Sequence, residues 1–363
     1  MFDRIQNIQK VIGDNNVIIN GDITVDYEVL PKVAHQLLSA ELNVLTLEAK
    51  EQMLTWVNEC VQSVLEQMIS RNIESKLSEF SKPSTQFAFY TTLKGYSSAE
   101  TIEQRDLLVD AFIERVLTSW DSSEKMILDS ALEMLPKLTP QTLSTIGLLQ
   151  IRHQLTNAPV SFMLHQYFSN LTPLVEKMSE VNTLDLEYLK QERLILPLPS
   201  LKMSVSLEQF LLSQYDLFFR HPLKKNVYDD YCRMHPEAHE AVTDEPMRAC
   251  MMWTDGTRDN ETSFCCANSG LLIETLKKRR QAYIIPHVQE LKRMMPLFNE
   301  EEVRNYFVNL SPLWERLFRL FSSENFRSYA LSITGSYIGG KILAKACHGK
   351  PLALADYKRN EFL

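Results

Sequence analysis

Glycine is scarce in this sequence, with ten in 363 residues, and there are only 15 prolines. That excludes a collagen-like repeat, a low-complexity polymer and a chain dominated by disorder. No run of about 18 apolar residues occurs, so no membrane-spanning helix is expected. The stretch Met1 to Lys10 is polar and amphipathic and lacks the apolar centre of a secretory signal. Six cysteines (Cys60, Cys232, Cys250, Cys265, Cys266 and Cys347) show no disulfide-framework spacing. In a chain long enough to bury a sizeable core they read as reduced thiols, which points to the cytoplasm. No G-x-S-x-G elbow is present, and paired carboxylates such as Asp106/Asp110 and Asp229/Asp230 sit in polar stretches that face water.

What the chain does have is apolar content, 45% hydrophobic residues, with a formal net charge of −8. The length suits two or three packed units. Its first 25 residues stand apart. Gly13-Asp14 recurs as Gly21-Asp22, with Val17, Ile18 and Ile19 between them and Ile23 and Val25 after. Branched residues flanked by Gly, Asn and Asp predict very short strands joined by tight turns, a small β-roll or hairpin. Strands this short cannot hide a face alone. The stripe Val17, Ile19, Ile23 and Val25 therefore needs a partner, either the chain's own body or the same segment of another copy. Open strand edges favour the second.

After Asp26 the pattern is helical. Leu54, Val57, Val61, Val64, Leu65 and Met68 recur at three- and four-residue steps, predicting a helix from Leu47 to about Phe80 with Thr85 as the next cap. Asp121 is expected to cap a helix that Pro136 ends. Thr139 followed by Pro140 predicts an N-cap with proline at the first helical position. The stretch Leu194 to Met203 holds Pro197 and Pro199, must be extended there, and makes the best internal boundary. Ser206 then caps another helix. Residues 1–196 carry 16 basic and 26 acidic side chains and residues 197–363 carry 22 and 20, so the halves are unequal in charge. The expected fold is an all-α, multi-helix, two-lobed body behind a short β segment. Its divisions are 1–26 (association), 27–196 and 197–363 (two helical domains).

The sharpest chemical constellation is Cys232-x-x-His235-x-x-x-His239, with Cys250, Cys265, Cys266 and His221 near in sequence. Zinc takes four Cys or His ligands, and on one helix the first three would share a face, with Cys250 or the Cys265-Cys266 pair completing the set. Pro236 inside the run weighs against it, and ordinary solvated histidines with buried thiols are the plainer account. GSYIGGK, from Gly335 to Lys341, fits the G-x-x-x-x-G-K pattern of a phosphate loop, but Ile342 stands where a Ser or Thr would hold Mg2+. Its surroundings read as a helix whose small residues let a neighbour approach. The basic run Lys277, Lys278, Arg279 and Arg280 ends a helix begun near Ser269, where cations suit the dipole. With net charge −8 and no interleaved aromatics it makes a poor nucleic-acid patch. Phe218, Phe219, Tyr228 and Tyr231 read as core.

Several blocks carry a resemblance: the Gly-Asp-Asn and Gly-Asp-Ile opening, Arg105 to Leu117, Pro136 to Leu149, Ser204 to Phe219 and Ala330 to Ile342. Together they resemble an uncharacterised bacterial family named after locus tags from Legionella and Veillonella. The resemblance implies a mostly helical protein after a short β segment, supplies no catalytic residues, and does not imply a cysteine motif at Cys265-Cys266. Similar opening segments precede effector or sensor modules of bacterial conflict systems, which implies a place in anti-phage defence. The expected function is thus a non-enzymatic oligomeric scaffold or sensor. It would assemble through Gly13, Asp14, Val17, Ile19, Gly21, Asp22, Ile23 and Val25, with itself and a further protein as partners and no cofactor. The alternative is a metal-dependent hydrolase or nuclease-like effector using Cys232, His235 and His239.

Overall fold

A computed structural model describes residues 17–19, 23–25, 29–118, 122–154, 168–169, 171–172, 175, 181–198, 206–236, 261–264, 268–278 and 280–346. Sixteen α-helices and three two-stranded sheets lie among the described residues, so the body is helical as expected. No described helix is long and apolar enough to cross a membrane. The helices pack as two compact units interleaved in sequence. The first holds the described residues of Met1–Leu143 and Ser332–Ile342, the second those of Ser144–Leu331 and Leu343–Pro351.

The first unit opens with strands β1 (Val17–Ile19) and β2 (Ile23–Val25), paired antiparallel with Val17 opposite Val25 and Ile19 opposite Ile23. Helices α1 (Val29–Leu37) and α2 (Ser39–Val44) lead into α3, Leu47–Ser70. Thr46 caps α3 by accepting from the Ala49 amide, and Val57, Val61, Val64, Leu65 and Met68 form its buried face. The helix stops ten residues short of the expected Phe80. Asn72 takes a left-handed φ of 53°, the Ile73 amide donates to Met68 O at 2.9 Å and the Asn72 amide to Ile69 O at 3.0 Å. This pair of bonds satisfies the last carbonyls and turns the chain, so Glu74–Ser81 continues as a 3-10 segment. The backbone of β2 comes close to that segment.

Helix α4 (Pro83–Ser98) starts at proline, with Lys82 as N-cap; Thr85, expected as the cap, is buried inside it. Proline's fixed φ and missing N–H suit the first helical position, which displaces the start upstream of Thr85. Helix α5 (Ile102–Leu117) has a capping box in which Thr101 and Gln104 satisfy each other's amides. Helix α6 (Ser123–Met134) is capped by Ser122 rather than Asp121, and the 3-10 segment Leu135–Lys137 carries Pro136. Helix α7 (Pro140–Gln154), of which the residues from Ser144 belong to the second unit, begins as the Thr139-Pro140 pair predicts, with Thr139 Oγ1 accepting from the Thr142 amide at 3.2 Å. In the core of this unit Phe80 meets Phe89 edge-on at 5.2 Å, and Phe112 lies 5.1 Å from Phe89. Each fully buried ring contributes about 1.5–3 kcal/mol of apolar burial.

The second unit runs through α8 (Thr183–Gln191), β3 (Ile195–Pro197), α9 (Leu207–Gln214), β4 (Leu223–Lys224) and α10 (Lys225–Met234). It continues with β5 (Glu261–Thr262), α11 (Ser269–Lys278), α12 (Ile285–Met294), α13 (Glu300–Leu310), α14 (Trp314–Ser322), α15 (Glu324–Arg327) and β6 (Tyr329–Leu331). The final described helix, α16 (Ile333–Ala346), belongs to the first unit as far as Ile342. The described part of the proline stretch expected as a boundary is extended at Pro197, but it lies inside this unit: β3 pairs antiparallel with β6, Ile195 opposite Leu331 and Pro197 opposite Tyr329. Pro199 lies outside the described residues. In a sheet of two strands Pro197 can face outward, where its missing N–H costs no ladder bond. The main core is aromatic. Phe307 lies 4.7 Å from Phe168 and 4.6 Å from Trp314, and Phe218 meets Phe219 edge-on at 4.9 Å.

Candidate functional site

A smaller core in the second unit carries the residues of most chemical interest. Leu217, Leu223, Tyr228, Tyr231, Cys232, Phe264, Leu272, Leu276, Ile284, Val288, Leu291 and Met295 form one buried cluster joining α10, α11 and α12. Tyr228, Tyr231 and Cys232 are the buried residues of α10, and Val227 packs against the same cluster. Burial pushes the Tyr228 hydroxyl well above its ordinary range, and the nearby Cys232 thiol pushes it further. Burial also raises the Cys232 thiol, against the lowering effect of Tyr228. A thiol held protonated in an apolar cluster is a poor metal ligand and a poor nucleophile.

His235 stands just beyond that helix. α10 ends at Met234, and His235 caps it with φ −130° and ψ 73°, its amide donating to Tyr231 O at 3.0 Å. Pro236 explains the break: a residue before proline is pushed out of the helical region. The single helical face expected for Cys232, His235 and His239 therefore stops at His235. His239, Cys250, Cys265 and Cys266 lie outside the described residues, as do Gly13, Asp14, Gly21 and Asp22. Among the described residues no three His, Cys, Asp or Glu side chains converge as a metal cage. His221 is engaged elsewhere, 3.1 Å from a Glu302 carboxylate oxygen and tilted against the Phe298 ring at 4.7 Å.

The partner that sequence spacing does not reveal is His287, in the first turn of α12. Its Nδ1 is 2.9 Å from the Tyr231 hydroxyl. The His235 ring lies 5.2 Å from the His287 ring and 4.7 Å from the Tyr231 ring, centroid to centroid. Both imidazoles are half-buried at the edge of the small core. The Ile285-Pro286 start of α12 signals a helix, but only the packing of α10 against α12 joins two histidines so far apart in the chain.

A second polar cluster ties α11 and α12 together. Asp216 accepts from the Ser269 amide and hydroxyl, both at 2.8 Å, and is ion-paired with Lys292, whose Nζ is 3.2 Å from Ser269 Oγ. Burial pushes the Asp216 carboxyl up, but the hydrogen bonds from Lys292 and Ser269 outweigh it and hold it below its ordinary value. A serine beside a lysine suggests a nucleophile and base. The Ser269 hydroxyl, however, already donates to Asp216 and Lys292 is ion-paired with the same carboxylate, so the two are not arranged as a nucleophile and its base. The cluster serves as a cap for α11.

Lys341 of the loop-like GSYIGGK run sits in the interior of helix α16, not on a phosphate-cradling loop. Its side chain is 5% exposed and ion-paired with Glu114, which also accepts from Tyr337 Oη at 2.8 Å. Lys277 and Lys278 occupy the exposed last turn of α11, with Lys278 2.7 Å from Glu274.

The described chain is thus a helical, two-unit protein with a small two-stranded segment at its front. Neither the curated proteins nor the solved structures give a match. The sequence model of a "-like" family with a Veillonella locus-tag name matches residues 25–354, and the chain belongs to that family. The match begins at the end of β2, so the Gly13-Asp14 and Gly21-Asp22 repeat lies outside it.

Proposed function

We propose that this protein is a non-enzymatic scaffold or sensor that associates with copies of itself through the β1–β2 hairpin. The observation that supports this is a sheet of two strands, with no third strand beside it among the described residues. The outer edge of β1 then offers N–H and C=O groups to another strand, and three-residue strands rich in Val and Ile gain from such pairing. The helical body would present the surface for a further protein partner in the cytoplasm. The likeness of the opening segment to those of bacterial conflict systems favours a setting in anti-phage defence.

Light scattering coupled to size-exclusion chromatography tests this reading. The full chain is expected to run as a defined multimer and a chain starting at residue 27 as a monomer. Two monomers would end the proposal.

A further inference from the structure

We propose that the turn between α11 and α12 binds single-stranded nucleic acid, with Lys277, Lys278 and Arg280 on phosphates and Tyr283 stacked on a base. From Thr275 to Gln289 the chain carries four Lys and Arg residues and no Asp or Glu. Lys277, Lys278 and Arg280 are all exposed. Lys278 lies beside Glu274, a pair exposed on both sides and therefore weak enough to exchange for a phosphate. Among the described residues Lys277 and Arg280 have no ion-pair partner. The net charge of −8 is spread over the whole chain, and exposed charges beyond roughly 8 Å are screened at physiological salt, so the local excess decides.

A rigid frame displays these groups. The Arg280 amide donates to Lys277 O at 3.1 Å, the Gln281 amide to Leu276 O at 2.9 Å and the Ile284 amide to Gln281 O at 3.1 Å. Two turns in succession thus fold the segment, and Leu276 and Ile284, both fully buried, pin its ends in the small core. Between these anchors Tyr283 is 57% exposed. The basic run itself holds no aromatic; the second turn supplies one. An exposed ring beside cations suits single strands, because every base has a π-face to stack while basic side chains track the phosphates. Apart from Tyr283, the only exposed apolar side chain among the described residues of this turn is Ala282. That leaves no apolar face to sink into a bilayer and favours nucleic acid over a membrane. The site goes beyond assembly through the hairpin and does not rest on it.

Fluorescence anisotropy of the full chain tests this with labelled oligothymidylate and oligouridylate, each longer than a site of about 4–16 nucleotides. Binding of either is expected at about 1–100 μM in low salt. Three phosphate contacts predict a log–log salt slope of about −2, a loss of about twentyfold between about 50 and 200 mM salt. Lys277→Gln combined with Arg280→Gly should cut that slope to about a third. Arg280 has a left-handed φ of 61°, which glycine adopts without strain, so Arg280→Gly should weaken binding with no fall in melting temperature. Tyr283→Ala should weaken binding about tenfold, and Tyr283→Phe should restore it. Arg193, exposed with a φ of 57° at the end of α8, is the control, and Arg193→Gly should leave binding unchanged. No anisotropy change at about 100 μM chain, a flat salt response or undiminished binding by Tyr283→Ala overturns the proposal. Uptake by phosphatidylserine vesicles without oligonucleotide binding overturns it too and assigns the turn to a membrane. The hairpin is tested separately, by molecular mass.

Discussion

Lys341 and Glu114 bind each other across α16 and α5, and Tyr337, one turn earlier on α16, donates to the second oxygen of the same carboxylate. A lysine this buried is tolerable only because its charge is met. Glu114→Ala leaves the ammonium unpaired and is expected to lower stability by about 3–5 kcal/mol. Combining it with Lys341→Met should recover much of that loss, because no lone charge remains. Urea unfolding of the two single variants and the double variant checks this; strictly additive losses would contradict it.

Gly95 is where α4 meets the turn carrying Pro136. A methyl group added there would lie 2.5 Å from Pro136 Cγ and 3.4 Å from both Leu108 methyls. The Gly95→Ala substitution normally favours a helix by about 1 kcal/mol. Here overpacking against a rigid ring is expected to reverse the sign and cost about 1–3 kcal/mol. A melting temperature equal to or above that of the unchanged chain would refute the close approach.

Asp216 gives the second unit an acid-sensitive joint. Its folded carboxyl is held below the ordinary 3.8. The ionised form therefore adds stability that is present above that value and lost as pH falls through the lower folded one. Asp216→Asn is expected to be less stable at neutral pH by about 1–3 kcal/mol. The gap should close in acid, once the wild-type carboxylate is protonated. Urea midpoints at neutral and strongly acidic pH measure it, and a gap independent of pH would exclude a charged role.

Most of the helical body was legible from local signals. The apolar steps of α3, the Thr139-Pro140 start of α7 and the Ser206 cap of α9 are short-range features, and each appears where the residues place it. Errors came where two local signals competed. The apolar pattern continues through Phe80, but the left-handed turn at Asn72 ends the helix. Thr85 looks like a cap, but Pro83 starts the helix first. Pro197 is extended as expected, whereas the pairing of Ile195–Pro197 with Tyr329–Leu331 depends on distant sequence. The His235–His287 pair was illegible for the same reason. Spacing along one segment suggested His239, while Pro236 turned the chain out of the helix and packing brought in a histidine from α12.

The account rests most on the front hairpin, and sedimentation equilibrium of the full chain over a range of concentrations tests it directly. Val17 and Val25 face each other in the ladder. Aspartate at both positions puts like charges opposite one another and makes strand pairing unfavourable. The unchanged chain should sediment as a multimer and the Val17→Asp/Val25→Asp chain as a monomer with an intact helical spectrum. A monomeric wild type, or a variant of unchanged mass, would contradict assembly through the hairpin.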